Sequence, residues 1–159
     1  IIASALGLTV GIVEGFREID VGELELQPPS AEGWAYHYEV LTDWLTGQVE
    51  RAFPGGDSYI TLCARMRAGL EEVSRGRHGC NIVVTGHAGI FAMTMKDLCP
   101  GVDMQALLAN LAHNCSISEI LLRRQGGCLV GELVSWGSHA HLHGEAADLV
   151  PAVPDEGGP

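Results

Sequence analysis

Asn81-Ile82-Val83-Val84-Thr85 runs directly into Gly86-His87-Ala88-Gly89 and then into an apolar stretch from Ile90 to Leu98. The first five residues are short, apolar and rich in β-branched side chains, the composition of a strand buried on both faces of a parallel sheet. Two glycines around a histidine mark a sharp turn, and the following apolar stretch has the length of a helix. Strand, turn and helix in that order predict an α/β domain.

Working outward, apolar residues at Trp34, Tyr38, Leu41, Leu45 and Val49 keep helical spacing, as do Tyr59, Leu62, Cys63, Met66, Leu70 and Val73. Gln27-Pro28-Pro29-Ser30 breaks the chain before the first of these helices. Pro54-Gly55-Gly56 is expected to end the first helix, with Asp57 or Ser58 as the cap of the second. Arg75-Gly76-Arg77 closes that second helix, because basic charge and glycine both suit a helix C-terminus. Asp103 caps a further short helix through Leu111. Asn114 to Leu122 and Cys128 to Trp136 read as two strands joined at Gly126-Gly127. Thr9 to Val13 reads as one more short strand. Ile1 to Gly7 resembles the last turns of a helix, which leads us to expect that the chain is an N-terminal truncation. Residues 1–144 are expected to form one domain. Residues 145–159 hold four acids, no base and three prolines, the composition of a disordered tail.

The 159 residues carry 20 Asp+Glu against 9 Lys+Arg, a formal net charge of −11, which argues against nucleic acid as a partner. No apolar run approaches the ~18–20 residues that span a bilayer, so no membrane partner is expected. Five cysteines, an odd number without a C-x-x-C pair, fit the reduced thiols of a cytoplasmic protein better than a disulfide framework.

In an open α/β sheet, ligands bind beyond the carboxyl ends of the strands, where His87 falls. The flanking glycines let a ligand approach the backbone, the helix N-terminus favours an anion, and a histidine there can donate to a phosphate. A capping histidine without catalytic work has the same local sequence. Glu18, in Arg17-Glu18-Ile19-Asp20, is a candidate general acid. Asp20, Glu23 and Glu25 are equally eligible on chemistry, and an acidic loop is most often a solvated surface.

Taken together, these segments resemble the histidine phosphatase superfamily, the phosphoglycerate mutase-like proteins. Phe16-Arg17-Glu18-Ile19-Asp20-Val21-Gly22-Glu23-Leu24-Glu25 is similar to its acidic "L-x-E-x-x-x-G-x-x-E-G" segment. Pro54-Gly55-Gly56-Asp57-Ser58 with Arg65 resembles its "PGGES…R" helix start, and Ile82 to Ile90 its strand and second catalytic histidine. Asn114-Cys115-Ser116-Ile117 resembles a late "N-x-s-i" strand. The resemblance runs from the first residue to about Leu142. It implies a three-layer α/β/α sandwich with a mainly parallel sheet, here lacking the N-terminal strand and helix.

The resemblance also implies a phosphomonoester hydrolase that works through a phosphohistidine. His87 would belong to the phosphate pocket, Glu18 would be the acid and base, and Ala88 and Gly89 would contact substrate; no metal or cofactor is required. The nucleophilic histidine of the family's Arg-His-Gly motif would lie on the absent N-terminal segment, leaving this chain inactive alone. Arg77-His78-Gly79 has the tripeptide in the wrong context, at a helix end. Asp57 stands where the family has Glu, and Ala88 where it has Gly. A short segment between Glu25 and Pro54 favours a phosphatase of small phosphorylated metabolites over a mutase. Trp34, Tyr36, His37 and Tyr38 lie on the helix from which substrate contacts would come, although most of these aromatics are expected simply to be core or helix surface. The same fold could also serve as a non-catalytic phosphate-ester binding module, as a monomer or a dimer. A separate reading concerns His139, His141 and His143, which on a strand would share one face and could bind zinc or nickel.

Overall fold

The computed structural model describes residues 1–110 and 113–148. Five helices precede one β-hairpin: α1 (Ile2–Ala5), α2 (Ala31–Leu45), α3 (Tyr59–Ser74), α4 (Ala88–Leu98), α5 (Met104–Ala109), β1 (Ile117–Gln125) and β2 (Cys128–Ser138). Short 3-10 turns lie at Glu14–Phe16, Gly22–Leu26 and Gly144–Ala147. The chain is therefore a mixed α/β arrangement. Among the described residues, no helix is long and apolar enough to cross a membrane.

Helix boundaries follow local chemistry. The Ser30 hydroxyl accepts from the Gly33 amide at the start of α2. Ser58 caps α3 in a reciprocal box with Thr61, while Asp103 accepts from the amides of Gln105 and Ala106 at α5. α2 stops at Leu45, short of Val49 and well before the Pro54-Gly55-Gly56 turn; the left-handed Gly47 (φ 104°) turns the chain there. The hairpin turns through Gly126 and Gly127, both at positive φ (57° and 87°), as a two-residue turn between right-twisted strands requires. Its antiparallel register places Gln125 opposite Cys128 and Leu122 opposite Gly131.

The core lies where α3, α4 and β2 meet. Leu62, Met66 and Leu70 of α3 are buried with Ile90, Met93 and Leu98 of α4 and Leu129 of β2. Arg67 ties these elements polarly: it pairs with the Asp97 carboxylate and donates to the carbonyls of Asp97 and Leu129. Gly131 lets β2 lie against α4, because a Cβ there would fall 2.7 Å from the Cys99 Sγ. The same core extends to α2 and the following loop through Val40, Trp44 and Phe53, with the Trp44 indole donating to the Arg51 carbonyl. All five cysteines are unpaired. Burial, with Asp97 nearby, pushes the Cys63 thiol up to about 11, so this thiol is kept in its unreactive form.

Two strand expectations fail. Among the described residues the sheet has two strands, antiparallel, and the mainly parallel sheet is not formed. Thr9–Val13 is irregular, with Val10 and Ile12 exposed. Asn81–Thr85 alternates exposed with half-buried positions as a strand would, yet it has no ladder partner, and Val83 is 63% exposed. A β-branched run chooses an extended path locally, but a strand exists only where a neighbour supplies its hydrogen bonds. Of the acidic segment at 145–159, residues 145–147 complete a 3-10 turn, and residues 149–159 lie outside the described residues, as does Leu111 at the expected end of α5.

Candidate active site

Glu18 is set by a loop that is braced from α3 and from the turn that precedes it. The turn at Glu14–Phe16 presses backbone against backbone: a Cβ on Gly15 would lie 2.4 Å from the Arg65 carbonyl oxygen, and one on Gly69 would lie 3.0 Å from the Phe16 ring. The Arg65 guanidinium donates to the carbonyls of Gly15 (3.3 Å), Arg17 and Glu18 (2.8 Å), and pairs with Asp57 at 2.7 Å. Asp57 in turn accepts from the Asp20 amide at 3.0 Å and from the Thr61 hydroxyl at 2.9 Å, and its own amide donates to the Asp20 carbonyl. Burial works to push the Asp57 carboxyl up, but Arg65, the Asp20 amide and Thr61 outweigh it and hold it below its ordinary range.

Two glycines permit this closeness. A Cβ on Gly22 (φ 55°) would fall 2.1 Å from the Pro54 oxygen, and one on Gly56 would fall 2.3 Å from the Asp20 oxygen. The Pro54-to-Arg65 segment thus holds the acid loop in place.

The second half of the site is the start of α4. Glu18 reaches across 72 positions of sequence so that Oε1 accepts from the Ile90 amide at 2.8 Å, and also from its neighbour Ile19 at 2.9 Å. Oε2 takes the longer bond, 3.3 Å, from the Gly89 amide. Unpaired amides at a helix N-terminus favour a carboxylate there. Gly89 is the position that admits it, since a Cβ would stand 2.8 Å from Glu18 Oε1. His87 is the N-cap residue of α4. Its ring is exposed and makes no capping hydrogen bond, so the imidazole is free to meet a ligand. Glu18, His87, Ala88 and Gly89, each named from sequence, are therefore brought to one place, all lining the same cleft. The amide of Gly89 faces Glu18 in this state.

That cleft encloses about 1650 Å³ between α2, α4 and the hairpin. Its α2 wall carries Trp34, His37 and Tyr38, whose rings touch one another at centroid distances of 5.7–6.1 Å. Burial lowers the His37 pKa from its ordinary 6.5, and the negative charge of nearby Glu18 offsets this only in part, so the ring is neutral at neutral pH. No lysine or arginine lines the cleft among the described residues.

Arg77-His78-Gly79 is exposed beyond the end of α3 and does not line the cleft. β2 ends at Ser138, so His139, His141 and His143 lie in the turns beyond it and not on a strand face. Among the described residues no three histidine, cysteine, aspartate or glutamate side chains converge as a metal site. The bracing roles of Arg65 and Asp57 are not apparent from their sequence alone. The signal that marks them is the Pro-Gly-Gly-Asp-Ser spacing to Arg65.

The chain belongs to the histidine phosphatase superfamily (branch 1), whose sequence pattern it matches over residues 1–134. It is 29% identical over 157 residues to a probable phosphoglycerate mutase, GpmB, of Yersinia enterocolitica, a match that covers 93% of this chain and 68% of that protein.

Proposed function

We propose that this chain carries the acid–base and second-histidine half of a phosphomonoester hydrolase that acts through a phosphohistidine, with the nucleophilic histidine supplied by residues outside these 159. The observation that carries the reading is the seating of Glu18 on the first amides of α4, beside the unencumbered ring of His87. An incoming phosphoryl group would sit against the exposed ring of His87, beside the α4 start whose Gly89 and Ile90 amides hold Glu18. In the first step the P–O bond of the ester breaks as the nucleophilic histidine bonds to phosphorus, and Glu18 in its acid form hands a proton to the departing oxygen. In the second step water attacks the phosphohistidine, Glu18 takes the proton from that water, and phosphate leaves. Oε2, with one long hydrogen bond against two short ones at Oε1, is the oxygen with capacity for the proton.

The unpaired run at Ile82–Thr85 and the open cleft beside it support completion of a mainly parallel sheet, in a three-layer α/β/α sandwich, by further chain. Hydrolysis of a small phosphorylated metabolite is favoured over mutase chemistry by the short segment between Glu25 and Pro54. The five free thiols fit a cytoplasmic setting.

The test is hydrolysis of p-nitrophenyl phosphate by the 159-residue chain and by the same chain preceded by whatever its gene encodes before Ile1. The longer protein is expected to hydrolyse the ester and to form acid-labile phosphohistidine, and Glu18→Gln to lower the rate by about 10²–10⁴-fold. His87→Ala should abolish phosphate retention. Full activity in the 159-residue chain would remove the external nucleophile, and a folded but inert longer protein would leave a binding module.

A further inference from the structure

The reacting atoms assign a direction to the substrate. With phosphorus beside His87, the oxygen that Glu18 protonates and the leaving group attached to it extend into the cleft that both residues line. One wall of that cleft is the face of α2 that carries Trp34, His37 and Tyr38. His37 is close enough for the Glu18 charge to act on it, and Trp34 and Tyr38 lie in ring contact with His37.

These two rings are the unusual feature of the wall. Trp34 is 47% and Tyr38 is 40% exposed, although large aromatics on an amphipathic helix are normally covered by the core. Tyr36, in contrast, lies under the Arg51 guanidinium, 5.6 Å from the ring centroid, and Arg51 is held by Glu39 and Asp43. Positions 36, 39 and 43 lie on the opposite side of α2 from 34, 38 and 41, so this cation is directed away from the cleft and already paired. On the cleft side, with Glu18 in its acid form, the carboxylate left among the described lining residues is that of Glu25. A leaving group bearing its own carboxylate or phosphate would face the Glu25 carboxylate with no lysine or arginine among the described lining residues, whereas a flat uncharged ring would gain stacking and lose little hydration.

We propose that Trp34, His37 and Tyr38 form the leaving-group wall of the site and select phosphomonoesters of planar, uncharged aromatic alcohols over phosphorylated carboxylic acids. This rests on the phosphomonoester reading above and adds the substrate class to it.

The test separates the two. Binding of three phosphonates whose C–P bond cannot be hydrolysed is measured by calorimetry on the full-length protein: methylphosphonate as the bare head group, phenylphosphonate as the aryl probe, and phosphonoacetate as the carboxylate probe. Phenylphosphonate is expected to bind about tenfold tighter than methylphosphonate, and phosphonoacetate no tighter than methylphosphonate. Trp34→Leu with Tyr38→Leu, which keeps an apolar face on α2, should reduce the phenyl-to-methyl ratio to about two. Equal affinity for the phenyl and methyl compounds, a preference for phosphonoacetate, or a ratio unchanged in the double variant overturns the aromatic wall while leaving the phosphomonoester reading intact. Failure of all three to bind to protein that keeps its circular dichroism and urea midpoint overturns the phosphomonoester reading and the wall with it.

Discussion

The loop Gly15–Gly22 and the run Asn81–Gly86 lead to the same site, one delivering Glu18 and the other His87, yet they are held in opposite ways. The first has little regular structure but is bound on every side by Arg65, Asp57 and the backbone of Pro54. The second has strand-forming residues but, among the described residues, no backbone ladder, and it leaves Val83 in solvent. A loop braced by side chains carries its own support within about fifty residues of sequence. A strand draws its support from whatever runs beside it, however distant that is in the chain.

Substitutions in the two regions should therefore differ in cost, and four measurements test the contrast. Gly22→Ala should have the largest effect, a loss of about 3 kcal/mol or more in urea unfolding, because the residue is left-handed and the methyl would meet the Pro54 oxygen. A loss below ~1 kcal/mol would mean that the acid loop can move away from Pro54 at little cost.

Arg65→Met should cost about 2–3 kcal/mol, since it takes the counter-ion from the largely buried Asp57 carboxylate and the donor from three carbonyls, two of them part-buried. The pH dependence has a definite sign. Asp57 binds its proton less readily folded than unfolded, so its contribution is complete above its ordinary pKa of 3.8 and is lost as pH falls below that value through the folded-state pKa. Asp57→Asn should flatten that part of the stability curve. A slope identical to that of the parent chain would show that Asp57 does not contribute to it.

Gly89→Ala should be milder, about 1 kcal/mol, because the clash at 2.8 Å is with the flexible end of the Glu18 side chain. Its signature is a shift of the Ile90 amide resonance as Glu18 Oε1 withdraws, and an unmoved resonance would argue against the capping contact. Val83→Thr should change stability by less than about 0.5 kcal/mol in the 159-residue chain. A cost several times larger would mean that this face is covered in solution.

Much of the local structure was legible in the residues. The caps at Ser58 and Asp103, the Gly126-Gly127 hairpin turn and the Arg75-Gly76 helix end all depend on neighbours within a few positions. The acid loop was legible only as a family resemblance. By chemistry, Glu18, Asp20, Glu23 and Glu25 were equal candidates. Packing separates them: Asp20 is engaged by the Gly22 amide and by Arg17, Glu23 and Glu25 are exposed, and Glu18 alone of the four accepts from the amides of α4. The failed strands at Thr9–Val13 and Asn81–Thr85 mark the limit of pattern reading, since composition reports a preference for extended backbone and says nothing of a partner.

The sequence by itself determined the caps at Ser58 and Asp103, how the hairpin turns, and which family's motifs the chain carries, because these rest on short-range sterics and on residue order. The tertiary structure alone decided which acid meets the helix N-terminus, that Arg65 and Asp57 hold it there, and that the neighbouring wall of α2 is aromatic and uncharged. Those outcomes depend on atoms 37 to 72 positions apart reaching hydrogen-bond distance. Only the packed chain sets such distances.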